Sequence, residues 1–405
     1  MTLTSNLQNL VVDAVDVVEF KLIRKREDVD CEDIAFPPAM AHQIFGENEN
    51  IFGYKDLQVR LMYTAGPLDI YVGIKYQQRI DDYLSDGLKA DDVVGIIASK
   101  LPDGCYYTNI DEFLKTLAKS ETFKPFGEKR CEYKLQDSFG VDRHFEIYQC
   151  DMIDNKFSKF FERLQTFVLW FVDAASYIDI DDPQWTFFIC YEKYKELDGN
   201  YHYATVGYTT VYKYYAYPEN MRPRISQMMI LPPFQKLGIG AKFIETIYQY
   251  FIGDSKVIDI TVEDPSDEFQ RIRNYVDAKL CKDLPAFSPT VIKNGFTKDM
   301  VKEAREKYKI NPRQCRKVYE ILRLMHTNIH NEKEYRELRL DIKKRLNLVY
   351  FKQLRDIEKM TKVGVDTQWM TATLPSKEER LEQLHKEYKE LESYYEKIIK
   401  RLKNP

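Results

Sequence analysis

The spacing of apolar positions changes along the chain, and the change predicts two kinds of structure. Up to about residue 263, short runs of β-branched and aromatic residues alternate with turn residues, a pattern typical of strands. The predicted strands are Val18–Ile23, Leu57–Tyr63, Asp69–Tyr76, Arg130–Leu135, His144–Cys150, Trp185–Tyr194, Tyr203–Tyr214, Ile225–Leu231 and Val257–Glu263. Three short turns predict hairpins, and they lie at Ala65-Gly66-Pro67, Ser138-Phe139-Gly140 and Asp198-Gly199-Asn200.

Apolar residues at helical spacing, preceded by capping residues, predict helices between these strands and after them. The helices of the first part are Asp91–Lys100, Asn109–Lys119, Phe157–Ser176, Ala241–Phe251 and a helix capped by Asp264-Pro265-Ser266 that runs to about Leu280. After Lys298 the pattern is entirely helical, with breaks near Asn311-Pro312 and from Gly364 to Pro375.

The last helical segment has apolar residues at alternating spacings of three and four, from Leu381 to Leu402. This is the seam of a coiled coil, but a single amphipathic helix packed on the rest of the protein has the same pattern. Because the seam lasts for only three heptads, we favour the packed helix.

The charge of the chain is unevenly distributed. The net charge of −4 combines 33 basic and 46 acidic residues in 1–297, a net of −13, with 27 basic and 18 acidic residues in 298–405, a net of +9. The acidic charge of residues 1–297 argues against nucleic acid as the main ligand, because phosphate binding needs a basic surface. The same negative charge suits a cationic substrate.

Bulk composition excludes several other classes of protein. The longest apolar run, Phe167 to Val172, is far too short to span a membrane, and Met1 to Asp16 contains no signal-peptide pattern. None of the seven cysteines forms a CxxC pair, which argues against a zinc ribbon or a disulfide framework. We therefore expect a protein of a reducing, intracellular compartment.

A glycine-containing loop between a strand and a helix is the clearest candidate for chemistry. Gly238 and Gly240 allow the backbone to approach a ligand, and the amides of the loop and helix start form a cradle for a pyrophosphate. No Lys-Ser/Thr pair follows, as a Walker loop requires, and the third glycine of the dinucleotide fingerprint is missing. Taken alone, the motif is explained about equally well by an ordinary tight turn.

The residues around the loop make the pattern more specific. Gln235-Lys236-Leu237-Gly238-Ile239-Gly240-Ala241 resembles the acetyl-CoA loop of the GNAT superfamily of N-acetyltransferases. The chain from Val18 to Leu346 also resembles one family within it, the catalytic subunits of type B histone acetyltransferases. The matching segments are Leu164-Gln165-Thr166-Phe167, Ala204-Thr205-Val206-Gly207-Tyr208, Arg222-Pro223-Arg224, Lys279-Leu280-Cys281 and Val318-Tyr319-Glu320-Ile321-Leu322-Arg323.

This resemblance implies an α+β fold in four parts. Residues 1–121 form a mixed N-terminal domain, and residues 122–297 form a GNAT catalytic domain whose mixed sheet splays apart at the cofactor. Residues 298–350 form a helical C-terminal domain, and residues 351–405 form a linker and an amphipathic tail helix.

The same resemblance implies a site for acetyl-CoA. Met228, Met229 and Ile230 are expected to pair with the pantetheine arm as a neighbouring strand would. The residues expected to hold the pyrophosphate through backbone amides are Gln235, Lys236, Leu237, Gly238, Ile239, Gly240 and Ala241. Lys236 and Leu237 depart from the family pattern, but main-chain contacts tolerate such a departure.

Acetyl transfer to lysine needs a carboxylate that accepts a proton, because the amine has an ordinary pKa of ~10.4. Glu263 matches the catalytic glutamate of the family, at the end of the second splayed strand. The adjacent Asp264 faces the other way if the strand continues, and it fits a helix cap better. Asp173 lies where relatives have another acid suggested as a base, and it is a secondary candidate.

Recognition of a basic histone tail is expected to use acids and aromatic rings. Glu47, Asn48 and Glu49 resemble the acidic tail-binding loop of the family, with Asn48 in place of a third acid. The positions that match the histone groove of relatives are Trp185, Tyr212, Lys213 and Tyr214. Without the resemblance, ordinary core or sheet packing explains such aromatic residues better.

The sequence thus predicts an acetyl-CoA-dependent histone lysine N-acetyltransferase that acts on free, newly synthesised histones, chiefly on the tail of the fourth core histone. The alternatives are a non-catalytic histone-binding or chaperone module, and a GNAT enzyme that acetylates another amine. The resemblance also implies a WD-repeat histone-binding partner and a cytoplasmic and nuclear distribution, with no direct nucleic-acid or membrane ligand. We expect no metal, since His326 and His330 have no evident third ligand, and no acyl-cysteine.

Overall fold

The computed structural model describes residues 8, 10–82, 88–136, 140–151, 154–196 and 199–404. The chain divides into two compact units. Unit 1 contains Met1–Tyr214 and Pro223–Ile247, and unit 2 contains Tyr215–Arg222 and Tyr248–Pro405. The predicted division into four parts stays a prediction.

The strands are β1 Val11–Asp13, β2 Val18–Ile23, β3 Asn50–Phe52, β4 Tyr54–Lys55, β5 Gln58–Thr64, β6 Ile70–Lys75, β7 Gln78–Arg79, β8 Tyr106–Tyr107, β9 Glu128–Gln136, β10 Asp142–Cys150, β11 Trp185–Lys195, β12 Tyr201–Ala216, β13 Asn220–Ile230 and β14 Thr261–Val262. The α-helices are α1 Ala14–Val17, α2 His42–Phe45, α3 Val93–Ala98, α4 Ile110–Lys115, α5 Leu117–Thr122, α6 Asn155–Gln165, α7 Val168–Phe171, α8 Ile239–Ile252, α9 Asp267–Cys281, α10 Pro289–Ile292, α11 Lys298–Tyr308, α12 Pro312–His326, α13 Glu332–Leu346, α14 Leu348–Lys362, α15 Gln368–Ala372 and α16 Lys377–Lys403. Short 3₁₀ turns lie at Arg26–Asp30, Glu32–Ile34, Ile80–Asp82, Pro232–Phe234 and Pro285–Phe287. The predicted α+β class is confirmed.

Unit 1 begins with a four-stranded sheet in the order β2-β5-β6-β8. Strand β2 is parallel to β5, and β5 is antiparallel to β6, which confirms the first predicted hairpin. The sheet buries a small core around Ile23, Met62 and Phe113. Asn109 caps α4 by accepting hydrogen bonds from two backbone amides, as its sequence position predicts.

Strands β9 to β13 lie side by side in chain order and form the larger sheet of unit 1. Strand β10 is antiparallel to both β9 and β11, and β11 is antiparallel to β12. These pairings confirm the predicted strands of the second and third hairpins. Residues 138–139 and 198 of the two predicted turns lie outside the described residues.

The predicted helix Phe157–Ser176 is wrong in its second half. Helix α6 ends at Gln165, and the separate short helix α7 ends at Phe171. The hydroxyl of Thr166 donates to the carbonyl of Arg163, a local bond that competes with helix continuation. Ala174 then has a φ of 53°, which a helix does not allow.

The strand predicted over Val257–Glu263 is much shorter in the structure. Only Thr261–Val262 is a strand, while Val257 and Ile260 form single bridges to Met221 and Ile310. Since the two bridges go to different parts of unit 2, the apolar run is buried without belonging to one continuous ladder. Short apolar runs cannot distinguish these two forms of burial.

Unit 2 is helical after Lys298, as predicted, and the tail helix α16 packs within it. Helix α16 contacts α9, α12 and α13, and it buries Tyr388, Tyr395 and Ile398. The Tyr395 hydroxyl donates to buried Glu320, which also pairs with Arg316 and Arg345. The heptad seam is therefore the packed face of a single helix. None of the described helices is long and apolar enough to cross a membrane.

Candidate active site

The glycine loop begins where β13 ends in unit 1. The amide of Leu231 donates to the Val206 carbonyl at 2.9 Å, and the chain then turns through Pro232–Phe234. The Gln235 side-chain amide donates back to the Ile230 carbonyl at 2.9 Å. Gln235 thus closes the end of the strand with its side chain, and its amide donates to the Pro232 carbonyl at 3.1 Å.

Two residues of the loop have a left-handed backbone. Gly238 has a φ of 83°, and Lys236 has a φ of 63°, which is uncommon for a residue with a side chain. Helix α8 starts at Ile239, and the Gly238 carbonyl already accepts from the amides of Ala241 and Lys242 at 3.1 Å and 3.4 Å, so the loop amides that precede the first helical hydrogen bond are those of residues 236–240. The loop therefore presents backbone N–H groups at a helix start, an arrangement that suits an anion.

A close backbone approach positions the strand that precedes the loop. The register of β11 and β12 shifts between Cys190 and Tyr191, which leaves Val206 as an extra residue in β12. A Cβ atom on the next residue, Gly207, would lie 2.2 Å from the Met229 carbonyl oxygen. Only a residue without a side chain fits at position 207 while Met228–Ile230 keep their position. In the sequence, a glycine inside a predicted strand indicates that another backbone segment approaches closely.

Gln227 links this strand to the segment after α7. Its side-chain oxygen accepts from the Tyr208 hydroxyl at 2.9 Å, and its side-chain nitrogen donates to the Ser176 carbonyl at 2.8 Å. Its amide also donates to the Thr210 hydroxyl oxygen. Gln227 immediately precedes Met228, so the segment that contains Asp173 is tied to the predicted pantetheine strand.

Asp173 and Glu49 come together around a histidine that the sequence reasoning missed. The Nε2 atom of His42 lies 3.1 Å from Asp173 Oδ1, and its Nδ1 atom lies 3.5 Å from Glu49 Oε1. Glu49 also accepts from the amides of Ala41 and His42, and the Ala41 amide contributes most to lowering the pKa of Glu49. Glu49 therefore has a role within the loop, whereas its neighbours Glu47 and Asn48 are exposed.

The aromatic residues that were predicted to line a histone groove lie together at one end of the larger sheet. Trp185 and Tyr212 are opposite each other on β11 and β12, with ring centroids 4.9 Å apart, and Tyr214 lies 4.6 Å from Tyr212. Asp182 accepts a hydrogen bond from the Tyr212 hydroxyl, which raises the pKa of Tyr212. Lys213, between the two tyrosines, instead pairs with Asp151 at 3.3 Å.

An ion-pair network around the buried carboxylate of Glu192 reaches the turn just before the glycine loop, and its members are far apart in sequence. Glu192 pairs with Arg143 at 2.6 Å and with Arg24 at 2.5 Å. Burial raises the pKa of Glu192, but the bonds and charges of the two arginines prevail and lower it. The Arg143 guanidinium also lies 5.2 Å from the ring centroid of Phe234, next to Gln235.

Glu263 and Asp264 belong to unit 2, where they follow strand β14 and are exposed. The strand does not continue through Asp264, whose φ is 28°. Asp264 is not the helix cap either, because Ser266 accepts from the Phe269 amide at the start of α9. Arg273 of α9 donates to the Ile260 carbonyl at 3.0 Å, just before β14.

One group of side chains in unit 1 has the composition of a metal site. Oxygen and nitrogen atoms of Glu132, His144 and Glu146 lie within 4.8 Å of one another. Lys129 pairs with both carboxylates, and Lys193 pairs with Glu146. Two ammonium groups already balance the charge, so we interpret the group as an ion-pair network.

The chain resembles known proteins over almost its whole length. The profile of the family described as "Histone acetyl transferase HAT1 N-terminus" matches residues 10–173, and "Histone acetyltransferase type B catalytic subunit, C-terminal" matches residues 273–324. A Homo sapiens protein named histone acetyltransferase type B catalytic subunit is 44% identical over 388 residues, or 95% of this chain and 92% of the relative. The chain belongs to this family.

Other relatives with the same name agree. A Rattus norvegicus protein is 43% identical over the same shares of both chains. A Dictyostelium discoideum protein is 35% identical over 342 residues, which cover 82% of this chain and 67% of the relative. The predictions of the type B family and of a histone acetyltransferase enzyme are therefore confirmed.

Proposed function

We propose that this protein transfers the acetyl group of acetyl-CoA to lysine side chains in the N-terminal tails of free histones, chiefly the fourth core histone. The observation that supports acetyl-CoA best is the loop after β13. Its left-handed Gly238 and the start of α8 present amides that fit a pyrophosphate. The closely packed strand at Gly207 places Met228–Ile230 directly before that loop.

Acetyl-CoA would supply an activated acetyl thioester, and the residues of the chain would bind and orient it. Backbone amides of the loop would hold the anionic pyrophosphate, and β13 would align the pantetheine arm. These are main-chain contacts, so the side chains of Lys236 and Leu237 are free to vary without loss of the site. The ion pairs of Glu192 would stabilise the loop through Phe234.

Lysine reacts as a neutral amine, although its ordinary pKa is ~10.4. Glu263 would accept a proton from the ammonium group, directly or through one water. The nitrogen then bonds to the acetyl carbon, the carbon–sulfur bond breaks, and the sulfur leaves with the electron pair. The second proton lost by nitrogen neutralises the leaving thiolate, and the products are acetyl-lysine and CoA.

Direct transfer is favoured over an acyl-cysteine for a physical reason. Burial raises the pKa of Cys190 and Cys281 strongly, and it raises the pKa of Cys315 to about 12. A nucleophilic cysteine needs a lowered pKa and access to substrate. These three buried thiols have neither property.

The tail would be received by acids and aromatic rings of unit 1. Trp185 and Tyr212 would offer ring surface to the stems and ammonium groups of lysines, beside Tyr214, whose ring already has the Arg224 guanidinium 4.6 Å from its centroid. Exposed Glu47 and Asn48 offer oxygen atoms to the cationic tail. The net charge of −13 in residues 1–297 would steer such a tail toward the protein, and the effect would weaken with salt.

The general-base role is tested by Glu263→Gln, assayed with acetyl-CoA and a tail peptide across neutral pH. We expect kcat to fall on the order of 10²–10⁴-fold, with partial recovery at high pH, where more of the lysine is neutral. Glu268→Gln, in the first turn of α9, is a matched control with expected wild-type turnover. Unchanged turnover of Glu263→Gln near pH 7 would remove Glu263 from this role.

Two further assays separate the alternative functions. Calorimetry with the full chain should detect acetyl-CoA binding, and its absence would favour a non-catalytic histone-binding module. A side-by-side assay of tail peptide and spermidine should favour the peptide, and a strong preference for spermidine would favour a different amine substrate.

We also propose, from the family resemblance, a WD-repeat histone-binding partner and a distribution between cytoplasm and nucleus. Purification of the tagged full chain from its own cells should recover such a partner in a stable complex. Fractionation should find the protein in both compartments. Recovery without any WD-repeat protein would contradict the proposed partner.

A further inference from the structure

His42 lies between two acids that are distant in sequence. It is the first residue of the short helix α2, and its side chain is partly exposed. Its Nε2 atom lies 3.1 Å from Asp173 Oδ1, and its Nδ1 atom lies 3.5 Å from Glu49 Oε1. The imidazole is thus the one described group within ion-pair distance of both carboxylates.

The backbone around this histidine is held on both sides. Glu49 accepts from the amides of Ala41 and His42 at 2.5 Å and 2.8 Å, which ties the acidic loop to the start of α2. The Gln43 side chain donates to the Ala175 carbonyl at 2.8 Å. The amides of Ala39 and Met40 donate to the Trp170 carbonyl at 3.0 Å and 3.2 Å. The bonds to Trp170 and Ala175 lie on both sides of Asp173 in the chain, and they hold its backbone beside the start of α2.

The same segment is connected to the predicted acetyl-CoA strand. The Ser176 carbonyl accepts from Gln227, the residue before Met228. Asp173 is three residues before Ser176, and 75% of its side chain is exposed. An exposed aspartate would sample several rotamers unless a partner restrained it. His42 is that partner.

The two ring nitrogens of His42 allow it to orient either acid. Each nitrogen lies within ion-pair distance of a carboxylate oxygen, and the ring carries at least one N–H donor in either protonation state.

We propose that His42 is a positioning residue for acetyl transfer. It holds Asp173 in the orientation that receives the lysine side chain, and it couples Asp173 to the acidic loop through Glu49. This role rests on the proposed histone acetyltransferase function, and it adds a residue whose effect is on the peptide substrate and not on acetyl-CoA.

The test uses three substitutions of the full chain that separate the two ring nitrogens. In His42→Gln the amide nitrogen replaces Nε2 and can still donate to Asp173, whereas in His42→Asn it replaces Nδ1 and reaches Glu49 only. His42→Leu loses both donors. His385→Leu, at an exposed position of α16 in unit 2, is the control for replacement of a histidine by leucine.

The measurements are kcat and the KM values of tail peptide and acetyl-CoA, together with Tm. We expect His42→Leu and His42→Asn to lose on the order of tenfold to a hundredfold in kcat/KM for the peptide, with the KM of acetyl-CoA unchanged. His42→Gln should restore most of the activity. If His42→Leu unfolds, the comparison of the Gln and Asn variants decides.

Outcomes of two kinds would overturn the proposal. An inactive wild-type chain would contradict the proposed function and this role with it. An active wild-type chain with equal peptide kinetics in all His42 variants, or with equal losses in the Gln and Asn variants, would contradict the role of His42 alone.

Discussion

Substitution of Gly207 by alanine tests whether the close approach of β12 and β13 forms the acetyl-CoA strand. The added Cβ would lie 2.2 Å from the Met229 carbonyl oxygen, 2.9 Å from Ile230 Cα and 3.1 Å from the Met229 carbonyl carbon. All three atoms belong to the backbone, so no side-chain rotation relieves the overlap. Strand β13 must move by about 1 Å or the two strands must separate, because heavy atoms in contact need more than about 3 Å.

The expected cost follows from that overlap. Overpacking of a well-packed interior costs about 1–3 kcal/mol of unfolding free energy, and here the displaced atoms are those of the predicted pantetheine strand. A misplacement of about 1 Å can reduce kcat/KM on the order of 10²-fold. We therefore expect Gly207→Ala to have a lower Tm and a raised KM for acetyl-CoA, with a smaller effect on the KM of the tail peptide.

The assay compares Gly207→Ala with Gly253→Ala. A Cβ on Gly253 meets nothing within 4 Å, and the backbone there is not left-handed, so this variant should keep wild-type Tm and kinetics. Wild-type Tm for Gly207→Ala would refute the steric argument. A lowered Tm with an unchanged KM for acetyl-CoA would refute the link between this strand and the ligand.

Three further predictions concern stability. Tyr395→Phe removes the hydroxyl that bonds to buried Glu320, and we expect a loss of about 1.5–3 kcal/mol in denaturant unfolding, whereas the exposed control Tyr217→Phe should be neutral. Ser266→Ala should cost about 0.5–2 kcal/mol because Ser266 caps α9, and Asp264→Ala should cost much less; equal losses would contradict the assigned cap. The lowered pKa of Glu192 means that its stabilisation is present above the ordinary glutamate pKa of about 4.3 and is lost as pH falls through the lower folded-state value. Thermal unfolding between about pH 7 and pH 3 should therefore show a smaller acid-dependent loss in Glu192→Gln than in wild type, and identical profiles would contradict the predicted linkage.

Local signals predicted much of the fold. The first hairpin is defined by two apolar strands around Ala65-Gly66-Pro67, and Asn109 caps its helix through its own neighbours. The apolar seam of the tail helix is long enough to predict that one face of the helix is packed, but it does not indicate which helices pack against that face. Such features depend on residues that are close in sequence, so they can be recognised from one amino-acid sequence.

The errors arose where distant contacts decide the structure. Val257 and Ile260 are both buried, and each forms a single bridge to a different part of unit 2. In the sequence, this burial gives the same apolar pattern as a continuous strand. The aromatic run before Ser176 suggested one long helix. In the structure α6 ends at Gln165, where the Thr166 hydroxyl bonds to the Arg163 carbonyl, and Ala174 has a positive φ of 53°. Apolar periodicity reports burial and does not report where the chain turns.

In the candidate site too, features made by consecutive residues could be predicted and contacts between distant residues could not. The glycine loop could be found because its residues are consecutive, and the resemblance to a family supplied Glu263 and the aromatic groove. His42 and Asp173 are separated by 131 positions, and no local pattern indicates that they meet. The same is true of Arg24 and Glu192, which form an ion pair across 168 positions.

The most direct test of the proposed activity is mass-spectrometric mapping of free histones treated with the full chain and isotopically labelled acetyl-CoA. We predict labelled acetyl groups on lysines of the N-terminal tail of the fourth core histone, and a large reduction of the label with Glu263→Gln. Histones without label above an enzyme-free control, under conditions where the folded chain is present, would contradict the account.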